Sequence, residues 1–122
     1  MPSPTFNSLN SVCFINDSVG YACGSKGTVI KTVNGGNSWN ILSDSSSINL
    51  NDIRFLDYRS GFIVGDKGTI LLTTDAGRNW QKSIWDSTTT FFNIYFLKDN
   101  ATGFIVGAKG IILRTDDSGK TW

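Results

Sequence analysis

Apolar positions along this chain come in short bursts separated by polar, glycine-containing breaks. In the middle third, "NDIRFL" (51–56) alternates, with Ile53 and Phe55 on one side, and "DYRS" ends it. "GFIVG" (61–65) is a brief apolar run and "DKG" breaks it. "TILLTT" (69–74) is rich in Thr and aliphatics, "DAGRN" comes next, and "WQKSI" (80–84) closes the unit. Alternation and β-branched residues between Gly, Asp and Asn breaks predict four short antiparallel strands, a to d in chain order. No segment keeps a 3.6-residue period for three turns, and Gly interrupts each candidate helix.

The unit recurs. Trp39, Trp80 and Trp122 are spaced by 41 and 42 residues, as are Gly20, Gly61 and Gly103. Phe14, Phe55 and Phe96 are 41 apart each time, so the extra residue falls between Phe96 and Gly103, at the a–b turn. The repeats run approximately 7–42, 48–84 and 90–122, the last lacking its outer strand. A period near 40 with Gly and Trp markers predicts an all-β chain of propeller blades. A four-stranded meander that is apolar on both faces must be covered on both, and radial stacking achieves this. Three blades cannot wrap a closed ring. The expectation is therefore a homodimer closing a six-bladed ring, or a piece of a longer propeller.

The c–d breaks read "TVNGGNSW" (32–39), "TTDAGRNW" (73–80) and "TDDSGKTW" (115–122). Asp75 can accept backbone N–H groups of its turn, Gly77 can take positive φ, and Trp80 can pack beneath. Asn34 stands where Asp75 does, which suits a turn and not a catalytic carboxylate. The pattern resembles the Asp box, or bacterial neuraminidase repeat. Thr115, Asp117, Gly119, Thr121 and Trp122 match it fully. Thr73, Asp75, Gly77 and Trp80 match with Asn79 for Thr, and Thr32, Gly36 and Trp39 match with Asn34 for Asp. The longer phrase "GFIVGDKGTILLTTDAGRNW" is similar to the repeats of the photosystem II stability and assembly factor propellers. The resemblance implies a propeller whose Asp boxes are structural, and an extracytoplasmic or secreted setting. No signal peptide is visible in residues 1–10.

Composition narrows the chemistry. The net charge is +1, which gives no nucleic-acid footprint, and no apolar run is long enough for membrane insertion by a helix. The chain has neither His nor Glu. A sialidase site needs clustered Arg, a Tyr–Glu pair and an Asp acid, whereas Arg54, Arg59, Arg78 and Arg114 occupy four different repeat positions. The expectation is no catalytic residue, no metal and no cofactor. Cys23 reads as a small core residue in place of Val64 and Val106. A three-residue a–b loop would set Cys13 opposite Cys23.

Antiparallel order puts the b–c turns and d–a loops at one end of every blade and the Asp boxes at the other. The b–c turns are Ser25-Lys26-Gly27, Asp66-Lys67-Gly68 and Ala108-Lys109-Gly110, and the d–a loops are "SDSSSINL" (43–50) and "DSTTTFF" (86–92). Variable loops on a repeated scaffold are where binding resides. Lys26, Lys67 and Lys109, with Asp66, Trp85 and Phe91 beside them, are the candidate binding residues, facing an acidic loop of a protein partner. Phe92 lies at the same end. The competing readings are a glycan-binding or sialidase-related module of a secreted protein, and a fragment of a longer enzyme.

Overall fold

The structure, a computed structural model, describes residues 3–43 and 46–122. Three meanders succeed one another. The first comprises β1 (Leu9–Phe14), β2 (Gly20–Gly24), β3 (Val29–Thr32) and β4 (Asn40–Ser43). The second comprises β5 (Leu50–Phe55), β6 (Gly61–Gly65), β7 (Thr69–Thr73) and β8 (Gln81–Ile84), and the third β9 (Phe91–Phe96), β10 (Gly103–Gly107) and β11 (Ile112–Thr115). Each strand pairs antiparallel with its sequence neighbour, giving two four-stranded sheets and one three-stranded sheet. The all-β propeller architecture read from the repeat is the architecture present.

Strands a (β1, β5 and β9) lie side by side and are pinned to one another by side chains. Asn10 Nδ2 donates to Leu50 O at 2.8 Å, and Asn51 Nδ2 donates to Phe91 O at 2.7 Å. A bulge falls at the same place in each a–b ladder, at Leu9/Ser11, Leu50/Asp52 and opposite Val106/Gly107. The inserted residue swings out of the alternation. Asn10 and Asn51 occupy that position, which is how they reach the next blade. Asp52 sits at the centre of this inner row. Its carboxylate accepts Ser11 Oγ of the first blade at 2.6 Å and the backbone N–H of Ile94 in the third at 2.9 Å.

Blade contacts bury apolar residues in two clusters, one at each internal junction. Tyr21, Cys23 and Val29 of the first blade meet Ile53, Phe55 and Ile63 of the second. Phe62, Val64 and Ile70 of the second meet Ile94, Phe96 and Ile105 of the third. Tyr21 stacks on Phe55 and Phe62 on Phe96, with centroids 4.0 and 5.3 Å apart. The repeated glycines are explained by this packing. A Cβ on Gly20, Gly61 or Gly103 would come within 2.6–2.7 Å of the Phe14, Phe55 or Phe96 ring of its own blade. The corresponding faces at the two ends are open, exposing Val12 and Phe14 on the first blade and Tyr95, Val106 and Ile112 on the third.

The length of the first a–b turn decides the cysteine register. The a–b turn holds five residues between Phe14 and Gly20, so Cys13 pairs with Tyr21 and Cys23 with Ser11. Both thiols are free, and burial pushes the Cys23 thiol well above its ordinary pKa.

Candidate functional site

The two ends of the blades differ in chemistry, and backbone hydrogen bonds fix which turns share an end. Gly35, Ala76 and Ser118, in the Asp boxes, donate their N–H to Ser18, Arg59 and Ala101 in the a–b turns, each at 2.9 Å. At the other end Ser46 N donates to Lys26 O at 3.0 Å, Trp85 N to Gly68 O at 2.9 Å and Ala108 N to Thr90 O at 2.9 Å, joining b–c turns to d–a loops.

Each Asp box is a closed hydrogen-bonded knot. In the second blade Thr73 Oγ1 accepts Gly77 N and donates to Asp75 Oδ1, both at 2.9 Å. Asp75 Oδ1 also accepts Asn79 N at 2.9 Å, and Oδ2 accepts Asn79 Nδ2 at 2.8 Å. Thr115, Asp117, Gly119 and Thr121 repeat the pattern, and Thr32, Asn34, Gly36 and Ser38 repeat it with an amide for the carboxylate. Gly36, Gly77 and Gly119 all have positive φ, between 85° and 89°. Trp39, Trp80 and Trp122 stand edge-on to Phe14, Phe55 and Phe96. The boxes also join blades. Ala76 O accepts Tyr21 Oη at 2.9 Å and Lys31 Nζ at 3.3 Å, both from the preceding blade.

These bonds favour the ionised acids. The Asn79 backbone N–H, then its side-chain amide and the Thr73 hydroxyl, hold Asp75 at a pKa of about 2. The Thr121 hydroxyl and backbone N–H, then Thr115, hold Asp117 at about 2. Neither can carry a proton near neutrality, so neither can serve as a general acid there. A depressed folded-state pKa contributes stability above the unfolded value near 3.8 and loses it as pH falls through about 2. The urea midpoint is therefore expected to drop between pH 4 and 2. The double variant Asp75→Asn/Asp117→Asn, which copies the Asn34 box, should lose part of that acid sensitivity. An identical pH profile would remove the boxes as its source.

The opposite end carries the lysines. Each b–c connection is a two-residue turn with consecutive positive φ: Lys26 58° and Gly27 68°, Lys67 57° and Gly68 63°, Lys109 59° and Gly110 76°. The turns are closed by Thr28 N→Ser25 O, Thr69 N→Asp66 O and Ile111 N→Ala108 O, at 3.1–3.3 Å. This is the type I′ hairpin turn, whose first central position favours Asn, Asp or Gly. A left-handed lysine there costs roughly 1–2 kcal/mol. All three lysines are solvent-exposed. Lys109 lowers the pKa of Asp86 in the neighbouring d–a loop, after that acid's bonds to Thr88.

The other candidates divide. Trp85 is exposed beside the second turn. Asp66 Oδ1 accepts Asn51 Nδ2 at 3.2 Å, so its carboxylate is tied to the inner row. Phe91 is fully buried in the second core cluster and is not a surface anchor; the bulge turns Phe92 outward instead. Residues 44 and 45 of the first d–a loop lie outside the described residues.

Blades closed by Asp boxes around an inner row of a-strands define an Asp-box β-propeller. The chain belongs to the family whose model is described as photosynthesis system II assembly factor YCF48, which matches residues 39–122. Among solved structures, a YCF48 bound to D1 peptide is 30% identical with a TM-score of 0.85, over 100% of this chain and 42% of that one. YCF48 from Cyanidioschyzon merolae is 21% identical with a TM-score of 0.80, over 99% and 40%. An ancestral GH74 enzyme shares the fold alone, at 16% identity and a TM-score of 0.78, over 96% of this chain and 18% of that one. This chain thus spans about two-fifths of the two YCF48 structures. No curated protein matches it.

Proposed function

We propose that the chain is a non-catalytic assembly-factor-like scaffold that binds a segment of a protein partner at the b–c end, through Lys26, Lys67 and Lys109. The observation that carries the reading is the left-handed conformation of all three lysines. A turn selected for stability would hold Asn or Gly there; lysine is retained at a conformational penalty in every blade, which is the mark of a residue kept for its charge. Trp85 and Phe92, both exposed, supply apolar surface at the same end. The D1 peptide bound by the related YCF48 supports a peptide-like partner.

The triple variant Lys26→Asn/Lys67→Asn/Lys109→Asn tests this, because stability and binding should move in opposite directions. Its urea midpoint should equal or exceed that of the parent. Its affinity for a fluorescent D1 peptide, monitored by anisotropy, should fall at least tenfold. Unchanged affinity, or no binding by the parent chain, would overturn the proposal.

A further inference from the structure

Each internal junction is built from the same two halves, and the two outer blades each expose one of them. The forward half comes from strands b and c. It is Tyr21, Cys23 and Val29 in the first blade and Phe62, Val64 and Ile70 in the second. The strand registers give Phe104, Val106 and Ile112 the same places in the third. The backward half comes from strand a and the box tryptophan. It is Ile53, Phe55 and Trp80 in the second blade and Ile94, Phe96 and Trp122 in the third. In the first blade these positions are Val12, Phe14 and Trp39. Val64 is fully buried whereas Val106 is 41% exposed, and Ile94 is fully buried whereas Val12 is 60% exposed. Val12, Ala22, Ile30 and Trp39 line a hollow of about 430 Å³ on that face of the first blade.

The polar contact of the first junction has a counterpart on the third blade. Lys31 lies over the Tyr21 ring, 5.2 Å from its centroid, and its Nζ donates to Ala76 O of the next Asp box. Arg114 holds the same register position and lies over Phe104 at 5.8 Å. In the second blade the pair is Phe62 and Leu72, with no cation. Arg114 is exposed and bonds Asp116 through Nε and Nη2. A guanidinium has more N–H groups than that carboxylate takes up, so donors remain. The first-blade carbonyl that corresponds to Ala76 O belongs to Gly35, which is exposed. Like Ala76, Gly35 donates its own N–H to the a–b turn.

We infer that, in the 122-residue chain, the forward face of the third blade receives the backward face of the first blade of a second copy. Phe104, Val106 and Ile112 then cover Val12, Phe14 and the hollow beside Trp39, and the Arg114 guanidinium donates to Gly35 O of that copy. The first blade is the occupant because it carries the aliphatic, aromatic and box-carbonyl positions by which the second blade is already received. Burying such surface on both partners is the main drive for association. The two faces differ, so the contact runs head to tail, and two copies joined twice place six blades in one ring. The match is incomplete at the inner row. Phe92 stands where Asn10 and Asn51 pin the internal junctions, so this contact is weaker than those and reversible. It uses sheet faces, whereas the lysine turns lie at one end of the blades. It therefore stands whether or not those turns bind a peptide.

Light scattering on the purified chain tests this. At hundreds of micromolar the parent should exceed the 13.3 kDa of one copy. Val12→Asp blocks the backward face and Ile112→Asp the forward face. Both side chains are exposed, so both variants should fold, which circular dichroism checks. Each alone should stay a monomer, and an equimolar mixture should form a dimer through the one junction left intact. Arg114→Ala should weaken association about tenfold, the worth of a hydrogen bond from a charged donor. Arg114→Lys should restore it, since Lys31 makes the corresponding bond. The triple lysine-to-asparagine turn variant should associate as the parent does. A parent that stays at 13.3 kDa would mean that the face takes a blade other than this chain's own, and would overturn the proposal. Self-association of either blocked variant would show a head-to-head or tail-to-tail contact and overturn it too. So would folded variants that fail to combine, or an Arg114→Ala chain that associates as tightly as the parent.

Discussion

Asp52→Ala is expected to lower the stability of the chain by about 3–5 kcal/mol, the loss of three charge-assisted hydrogen bonds, from the buried N–H groups of Ile53 and Ile94 and the half-buried Ser11 hydroxyl. Asp52 is 5% exposed, and Ile94, whose N–H it accepts, is fully buried. Removal of the carboxylate strands that N–H inside the junction between the second and third blades, where water does not reach it. The Ser11 hydroxyl from the first blade loses its acceptor in the same step. One side chain thus ties three blades together along the inner row. Asp52→Asn should lose less, because one oxygen remains to accept. Urea denaturation measures the loss, and amide exchange at Ile94 localises it. A loss below about 1 kcal/mol would mean that the inner row is held by packing alone.

Gly119→Ala is expected to lose roughly 2–5 kcal/mol, from two separable causes. The first is backbone strain, since its φ is +85°. The second is collision: a Cβ there would stand 2.2 Å from Phe62 Cζ of the preceding blade. Phe62 is 1% exposed and is wedged between the Phe96 and Trp122 rings. It has nowhere to go without opening the junction. A double-mutant cycle separates the two causes. In a Phe62→Leu background the collision is relieved and only the strain remains, so Gly119→Ala should be markedly less damaging there. Additive losses in the cycle would show that the box and the ring do not press on each other. Non-additive losses would make the box as much a blade-to-blade contact as a turn.

Much of the fold is legible because the repeat writes it three times. Gly, Phe and Trp at constant spacing locate the strands, and the single extra residue in the third repeat lies in the a–b turn, where Asn100 takes φ 56°. The Asp boxes are legible for a local reason. Their bonds run between residues two and four apart, so sequence spacing nearly determines their geometry. The features that escape the sequence depend on long-range register. The bulge near the start of each a-strand adds a residue out of step, and simple alternation then misassigns the positions beyond it. This is why Phe91 and Phe92, read together as part of a d–a loop, part company in the structure, Phe91 buried and Phe92 exposed. The role of Asn10 and Asn51 as pins between blades has the same origin. The register of Cys13 against Tyr21 depends on the length of the first a–b turn. The left-handed lysines are hidden for a different cause: "KG" is not a pair that announces a type I′ turn, and only the backbone reveals the penalty.

The pentapeptide GFIVG occurs twice, as β6 and as β10. In β6 all five residues are buried, whereas in β10 Val106 is exposed and Phe104 and Gly107 are half-buried. Covalent structure and intrinsic strand preference within the segment are identical, so the difference belongs wholly to the neighbours. The chain is in this sense a short one-dimensional lattice, with a self-term for each blade and a coupling term for each junction. Among the described residues the second blade has two couplings, and the first and third have one each. In this 122-residue chain, opening should then begin in the blades coupled on one side and reach β6 last, with two copies of a single word reporting from different levels of the same stability gradient.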